Sequence, residues 1–414
     1  MGAAAAAVYR PGRRVLANEG GKRAPRYFVQ IWQFGGVDGV WTTDPKGPRD
    51  VARGIDVPYK PKDILGTKHL QLGPHYKELV PWASRTAIVR GVRLGTANHD
   101  TGGNQMLRFR TNWSYSAPSL VDAIGSSRDT QAVSALYLGA LEPFDQSSTG
   151  AFGEADLELR VLGEGRRGLL TAVDAAMPED LAHIARGLSR QADRVAKLDT
   201  SLRGQRTVDS WRSAATFLQR VSKLPKFEFK PSTKKPDKFE EHLARTAWAL
   251  EHDLTRSVTL RCLNWDTHSH NEDDQFDNTS QFLPVFAKFL KKLAETRNAH
   301  GTLLDQTMIL MGSELGRYPR LNNDAGKDHF PEANYTLIGA GFNHGTGSGI
   351  AFGGTDREMA SLPVDPATGQ VAKVGMEVDL DDVGTTLVQL CGVDPRRFGY
   401  SGRILPFLAP SEAA

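Results

Sequence analysis

Short apolar runs in this chain repeatedly end in, or adjoin, side chains that bind metals or move protons. The fullest case is Val258-Thr-Leu-Arg-Cys-Leu263, followed by Trp265-Asp266-Thr267-His268-Ser269-His270-Asn271. An apolar run of that length, closed by a polar turn, predicts a buried strand. At its end the chain leaves the pleat. Asp266, His268, His270 and Asn271 can then converge on one point instead of alternating across a sheet. A carboxylate and imidazoles together, here with an Asp-x-x-x-His spacing, suit Zn²⁺ or another divalent first-row ion. The same residues also fit a polar loop whose histidines cap or bond locally.

Four further regions repeat the pattern. A predicted strand, Tyr27 to Trp32, runs into Gly35-Gly36-Val37-Asp38-Gly39, where glycine permits a sharp turn and Asp38 becomes a strand-end carboxylate or a plain turn residue. A second, Thr86 to Val92, leads through Asn98-His99-Asp100-Thr101 into a helix. Free N–H groups at a helix start suit a nucleophile or an anionic substrate, so Thr101 is a candidate nucleophile and His99 its base. Equally, Thr101 or Asp100 could simply cap that helix. A third strand, Thr307 to Met311, ends in Gly312-Ser313-Glu314-Leu315-Gly316-Arg317. Arg317 could grip a phosphate or sulfate oxygen pair, or pair with a nearby carboxylate. Lastly, Asp328-His329 precedes the strand Tyr335 to Gly339. One more strand and helix pair is expected over 118–148, with the strand over 132–138. Helices are expected from Phe239 to about Asp253, through Phe282, Val285, Phe286, Phe289, Leu290 and Leu293, and from Leu380 to about Leu390. Strands alternating with helices predict an α/β fold, a doubly wound and mostly parallel sheet covered on both faces. Ligands gather outside the carboxyl ends of such strands.

The remaining stretches set the organisation. Residues 1–25 read as a flexible arm, 26–156 as the first part of the α/β core and 239–414 as the second. Between them, 157–238 reads as a helical insertion of about three helices with a Lys- and Pro-rich loop. The stretch 44–83, with six prolines, and the acidic stretch around Glu272, Asp273, Asp274 and Asp277 read as loops. With 51 basic against 48 acidic residues, a net charge of +3, the chain does not have the profile of a nucleic-acid binder. Cys262 and Cys391 each sit in apolar runs and read as core residues. No stretch approaches the ~20 apolar residues that span a bilayer. Arg13-Arg14 is not followed by the apolar run of a twin-arginine signal, and the alanine run before it is too short for a full signal core.

Taken together and in order, Gly35-Gly36-Val37-Asp38-Gly39, Asp44-Pro45-Lys46, Asn98-His99-Asp100, Trp265-Asp266-Thr267-His268, Ser313-Glu314-Leu315-Gly316-Arg317 and Asp328-His329 resemble the family catalogued as domain of unknown function 1501. That family is related to the alkaline-phosphatase-like superfamily, which includes sulfatases and metal-dependent phosphoglycerate mutases. The resemblance runs from about residue 27 to 409. It implies an alkaline-phosphatase-like doubly wound sheet and a metal-supported hydrolytic or transfer site. It also implies a protein of the bacterial envelope or exterior, periplasmic or secreted, since many relatives carry an export signal. By position, Asp38, Asp266, His270 and His329 match metal ligands of the superfamily, with Glu314 a further one. The ion would be Zn, Mn or Ca. Thr101, His99, His268 and Arg317 would carry the chemistry, with Arg317 and Asn271 on the substrate. Two departures stand out. Leu315 occupies the place of a metal-binding histidine, and no Cys-x-Pro-x-Arg sulfatase signature occurs. The expected substrate is a small anionic ester or a sulfated or phosphorylated polymer. The alternative is a non-catalytic structural or binding component of a cell-envelope assembly, with envelope proteins or further copies of itself as partners. A carbohydrate-binding protein using the same cleft is a third reading.

Overall fold

The computed structural model describes residues 24–114, 117–125, 133–139, 178–225, 227–231 and 238–410. Most of the expected arm, with Arg13-Arg14, and the first part of the expected insertion lie outside these residues. Seven strands form one sheet: β1 (Tyr27–Gln33), β2 (Thr86–Arg93), β3 (Val133–Leu138), β4 (Thr255–Cys262), β5 (Thr307–Gly312), β6 (Glu332–Gly339) and β7 (Ile350–Phe352). Their spatial order is β7-β2-β6-β5-β1-β4-β3. β1 pairs in parallel with β4 and with β5, β3 with β4, and β7 with β2. Only β6 runs against its neighbours, β2 and β5. The sheet is thus mostly parallel, as the alternation of elements requires.

All seven residues of β1 are buried. A strand covered on one face would alternate, so the sheet must be covered on both. Two glutamines show this directly. Gln30 donates through Nε2 to the Met106 carbonyl of α1 (His99–Arg108) at 2.7 Å. Gln33, an odd number of residues further on and so on the opposite face, takes Oε1 to the Tyr76 hydroxyl at 3.4 Å. Tyr76 lies at a kink in a 3₁₀ segment, Pro74–Arg85, most of which falls in the stretch expected to be loop. One helical layer contains α1, α2 (Leu120–Gly125) and α7 (Leu380–Leu390). The other contains the 3₁₀ segment, α5 (Lys238–Glu251) and α6 (Asn271–Glu295). Between β3 and α5 in the chain, α3 (Pro178–Leu198) and α4 (Leu202–Val221) pack on each other, giving two helices of the expected insertion among the described residues.

The acidic run after His270 is not a loop. Glu272, Asp273 and Asp274 form the first turn of α6, where their charge complements the helix's positive end. Periodicity could not register this, because the first turn of a helix carries its charges before the apolar stripe begins. Cys262 and Cys391 are both buried, as expected of core residues. No helix among the described residues is long and apolar enough to cross a membrane.

The reversed β6 has a consequence for function. β1, β2, β4 and β5 all finish at one edge of the sheet, and β6 begins there. His329, just ahead of β6, therefore arrives at the same edge as the residues that follow the other strands.

Candidate metal centre

The turn after β1 is the frame of the site. Gly35 and Gly36 both take φ of +105°, a region that side chains disfavour. A Cβ on Gly35 would lie 2.3 Å from the Asp266 amide nitrogen, and one on Gly36 would lie 2.8 Å from Arg317 Nε. Only glycine lets the β1 turn press against both residues. That turn then uses its backbone in both directions. The Gly35 amide donates to Glu314 Oε1 at 2.9 Å, while the Gly35 and Gly36 carbonyls accept from Arg317. The loop after β4 is tied to the same turn by the Trp265 amide, which donates to the Phe34 carbonyl at 2.6 Å.

Three side chains converge on this frame. His99, Asp266 and His329 each offer a ligand atom, and these atoms lie within 4.8 Å of one another. His99 Nε2 is 3.3 Å from Asp266 Oδ2, and His329 Nε2 is 3.2 Å from Asp266 Oδ1. The outer nitrogens explain why the inner ones are available. His99 Nδ1 donates to Glu314 Oε1 at 2.8 Å, and His329 Nδ1 donates to the Ala97 carbonyl at 2.8 Å. Neither acceptor can give a hydrogen, so each neutral imidazole must carry its proton on Nδ1 and direct an Nε2 lone pair inward. His99 Nε2 is fully buried and has no hydrogen-bond partner. Two lone pairs and a carboxylate facing one another can hold a cation between them. The pattern of imidazole nitrogens turned inward, with their other nitrogens held by a carboxylate or a carbonyl, is that of metal-ligating histidines. The donor set fits a divalent ion.

A proton on His99 can take the place of the ion. Burial disfavours the His99 imidazolium, but attraction to the Asp266 and Glu314 carboxylates beside it outweighs this and raises the group to about 9. For Asp266 the burial penalty is likewise overcome, by His99 and Arg317, and its carboxyl is held far below the usual range. His268 completes the rim. About half exposed, it places Nε2 at 2.9 Å from His329 Nε2 and 3.1 Å from Asp266 Oδ1, with Nδ1 at 3.4 Å from Asp328 Oδ1.

Several expected roles change. Glu314 is not a ligand in this geometry. It is buried behind His99, with Oε2 taken by Trp32 Nε1 at 2.6 Å and by the Ser313 hydroxyl at 3.0 Å. Asp38 lies in a separate buried network. Its Oδ2 accepts from Lys327 Nζ at 2.6 Å and from Asn271 Nδ2 at 2.9 Å. Asn271 is buried there too, and its Oδ1 accepts from the Thr267 hydroxyl, so it presents nothing to a substrate. His270 is the exposed N-cap residue of α6 and is not one of the converging donors. Arg317 offers no anion clamp. Its side chain is fully buried and donates to the Gly35, Gly36 and Lys327 carbonyls and to Asp266. Thr101 is the third residue of α1. Its amide donates to Asn98 Oδ1 at 3.0 Å, which makes Asn98 the cap in place of Thr101 or Asp100. Sequence reading gives Lys327 no role, although it belongs to the cluster Gly326-Lys327-Asp328-His329. Nothing in a sequence distinguishes a buried lysine from the usual exposed one.

Glu314→Gln provides a direct check on the Nδ1 argument. A glutamine amide can present an N–H to His99 and reverse its tautomer. Metal affinity should fall by ~10–100-fold, as for other outer-shell partners. Competition with a chelating dye would measure it, and an unchanged affinity would mean that Glu314 does not set the tautomer.

Comparison with known proteins gives two kinds of finding. Among solved structures, the chain resembles Ps i-CgsB in complex with a neocarrahexaose, at 11% identity, covering 92% of this chain and 75% of that one, with a TM-score of 0.41. It also resembles a protein from a Bacteroides thetaiotaomicron locus for glycosaminoglycan metabolism, at 10% identity, 94% and 77% coverage and a TM-score of 0.42. A third is a 2-O GAG sulfatase, at 10% identity, 90% and 71% coverage and a TM-score of 0.33. Scores and identities this low carry no argument about activity. No curated protein matches the chain. A family match does exist, to the "Protein of unknown function (DUF1501)", over residues 175–408, more than half of the chain. Asp266, Glu314, Arg317, Lys327 and His329 fall inside that match, whereas Asp38 and His99 precede it. On this match the chain belongs to the DUF1501 family.

Proposed function

We propose that the protein is an exported, metal-dependent hydrolase or transferase of phosphate or sulfate esters. The observation that carries the metal reading is the paired commitment of His99 and His329. Both give Nδ1 to an acceptor and turn Nε2 toward Asp266. His99, Asp266 and His329 would hold the ion. Two nitrogens and a carboxylate suit Zn or Mn better than Ca, which prefers six to eight oxygens. When bound, the ion supplies Lewis acidity to an ester oxygen. His268 stands next to the ligands, half exposed, and is the residue placed to move a proton to or from substrate. Thr101, half-buried two residues after His99, remains the candidate nucleophile. The ester class, an anionic polymer as substrate and a place in the bacterial envelope or exterior rest on the ordered motifs shared with the family and its superfamily.

A non-catalytic reading has one observation in its favour. Arg317 and a protonated His99 can neutralise Asp266 without any metal. In that case the contribution of the His99 charge to stability is full below its unfolded value of about 6.5 and is lost as pH rises through about 9. Elemental analysis of the purified chain, paired with turnover of aryl phosphate and aryl sulfate esters, separates the two readings. About one equivalent of Zn or Mn together with turnover is the expected result. No metal after incubation with either ion, and no turnover, would end the hydrolase reading.

A further inference from the structure

The far end of α1 carries a second charged cluster, apart from the metal centre. Arg108 closes the helix and is completely buried, and Arg110, just beyond the left-handed Phe109, is 5% exposed. Nine residue steps of helix, about 13 Å, separate Arg108 from His99.

Each guanidinium is fixed by part of its edge and leaves the rest unused. Arg108 donates through Nε to the Ala117 carbonyl at 3.2 Å and through Nη1 to Asn104 Oδ1 at 2.9 Å, while Nη2 has no partner. Arg110 donates through Nη1 to the Phe398 carbonyl at 2.9 Å and lies 3.9 Å over the Tyr400 ring. Its Nε and Nη2 have no partner. Those two nitrogens form one edge of the guanidinium, the edge that holds two oxygens of an oxyanion side by side. The Tyr400 hydroxyl donates to the Arg108 carbonyl at 2.7 Å and so joins the two arginines in one cluster. Asp122 lies near enough for Arg108 to feel its charge, yet neither of its oxygens takes a hydrogen bond from an arginine. Its Oδ2 is shared between the Ser119 and Tyr137 hydroxyls, and burial pushes its carboxyl up, toward the neutral form. Burial lowers Arg108 to about 10, and the neighbouring Arg110 adds to the effect.

Three buried N–H-bearing nitrogens without partners would each carry a desolvation cost that native interiors avoid. We propose that Arg108 and Arg110 together bind a tetrahedral oxyanion, phosphate or sulfate. Two oxygens would lie on the Nε and Nη2 edge of Arg110 and a third on Arg108 Nη2. A carboxylate has only two oxygens and cannot serve all three nitrogens. The depth of both side chains favours the free ion over a phosphate on a larger molecule.

The test uses the full chain. Melting temperature is followed against sulfate, phosphate and acetate, with ionic strength held constant by chloride. It is done in wild type, in Arg110→Met and in His329→Ala, whose metal centre is impaired. The expected result is a saturable rise of about 3 °C with sulfate or phosphate in wild type and in His329→Ala, absent in Arg110→Met. An equal rise in Arg110→Met would overturn the site. So would a rise lost in His329→Ala, which belongs to the metal centre, or a response to acetate alone. If Arg110→Met does not fold, wild-type crystals grown with selenate decide. Anomalous density against Arg110 Nε and Nη2 supports the site, and its absence there overturns it.

Discussion

His329→Ala should lose its metal and its ester turnover together, while His270→Ala keeps both. Removing one of three ligands should weaken binding by more than the ~10–100-fold expected for an outer-shell change. His329 Nε2 faces Asp266 Oδ1 at 3.2 Å, and its Nδ1 is spent on the Ala97 carbonyl, so no other atom of the residue can replace the lost donor. Asp266→Asn should match it in metal content. It should cost more stability, because it also leaves the fully buried Arg317 guanidinium without its carboxylate. The ion must further displace a proton from His99, which is held to about 9 by its two carboxylates. Apparent affinity should therefore climb by about tenfold per pH unit up to that value. Metal content measured across the three variants and several pH values tests all of this. Full metal in His329→Ala, or metal lost in His270→Ala, would require a different ligand set.

His270 was a reasonable choice on spacing, and its fate shows which part of the site a sequence can disclose. The strands were legible because a sheet buried on both faces is written as continuous apolar runs, as in β1. The edge at which they end was legible too, and with it the arrival there of His99, Asp266, Glu314 and His329. What spacing could not supply was orientation beyond the strand end. His270 takes a left-handed conformation as α6 begins, outside the converging set, while His268, two residues earlier, borders that set. Glu314 lies at the right edge but one layer too deep, because Trp32, Ser313 and the Gly35 amide already claim it. Arg317 reads as an exposed anion clamp only until the carbonyls of Gly35 and Gly36 are seen to receive it. These placements have one cause: a residue's chemistry is visible in sequence, whereas its burial is decided by contacts with distant segments.

Lys327→Met should be among the most destabilising single changes in the protein, at about 3–5 kcal/mol. Lys327 is 1% exposed, and its ammonium lies 2.6 Å from Oδ2 of the equally buried Asp38. Methionine fills the volume but leaves the Asp38 charge facing only the Asn271 amide and the Val40 N–H. The network around the pair links three segments. Asp38 follows β1, Asn271 and Gln275 belong to α6, and Lys327 is on the loop before β6, whose amide donates to the Thr267 carbonyl at 3.0 Å. Asp38→Asn removes the other partner and strands a buried ammonium, so it should cost a similar amount. The double variant Asp38→Asn/Lys327→Met has no buried charge left at this place and should be more stable than the sum of the single losses implies. Denaturant midpoints on metal-free protein provide the comparison. A loss of this size is a large part of the 5–15 kcal/mol that holds a typical domain together, so the single variants should be sensitive to modest heat. The same variants decide what Asp38 is for. As half of a structural ion pair, its replacement lowers the midpoint, whereas a metal ligand would leave the metal-free midpoint almost unchanged and abolish binding instead.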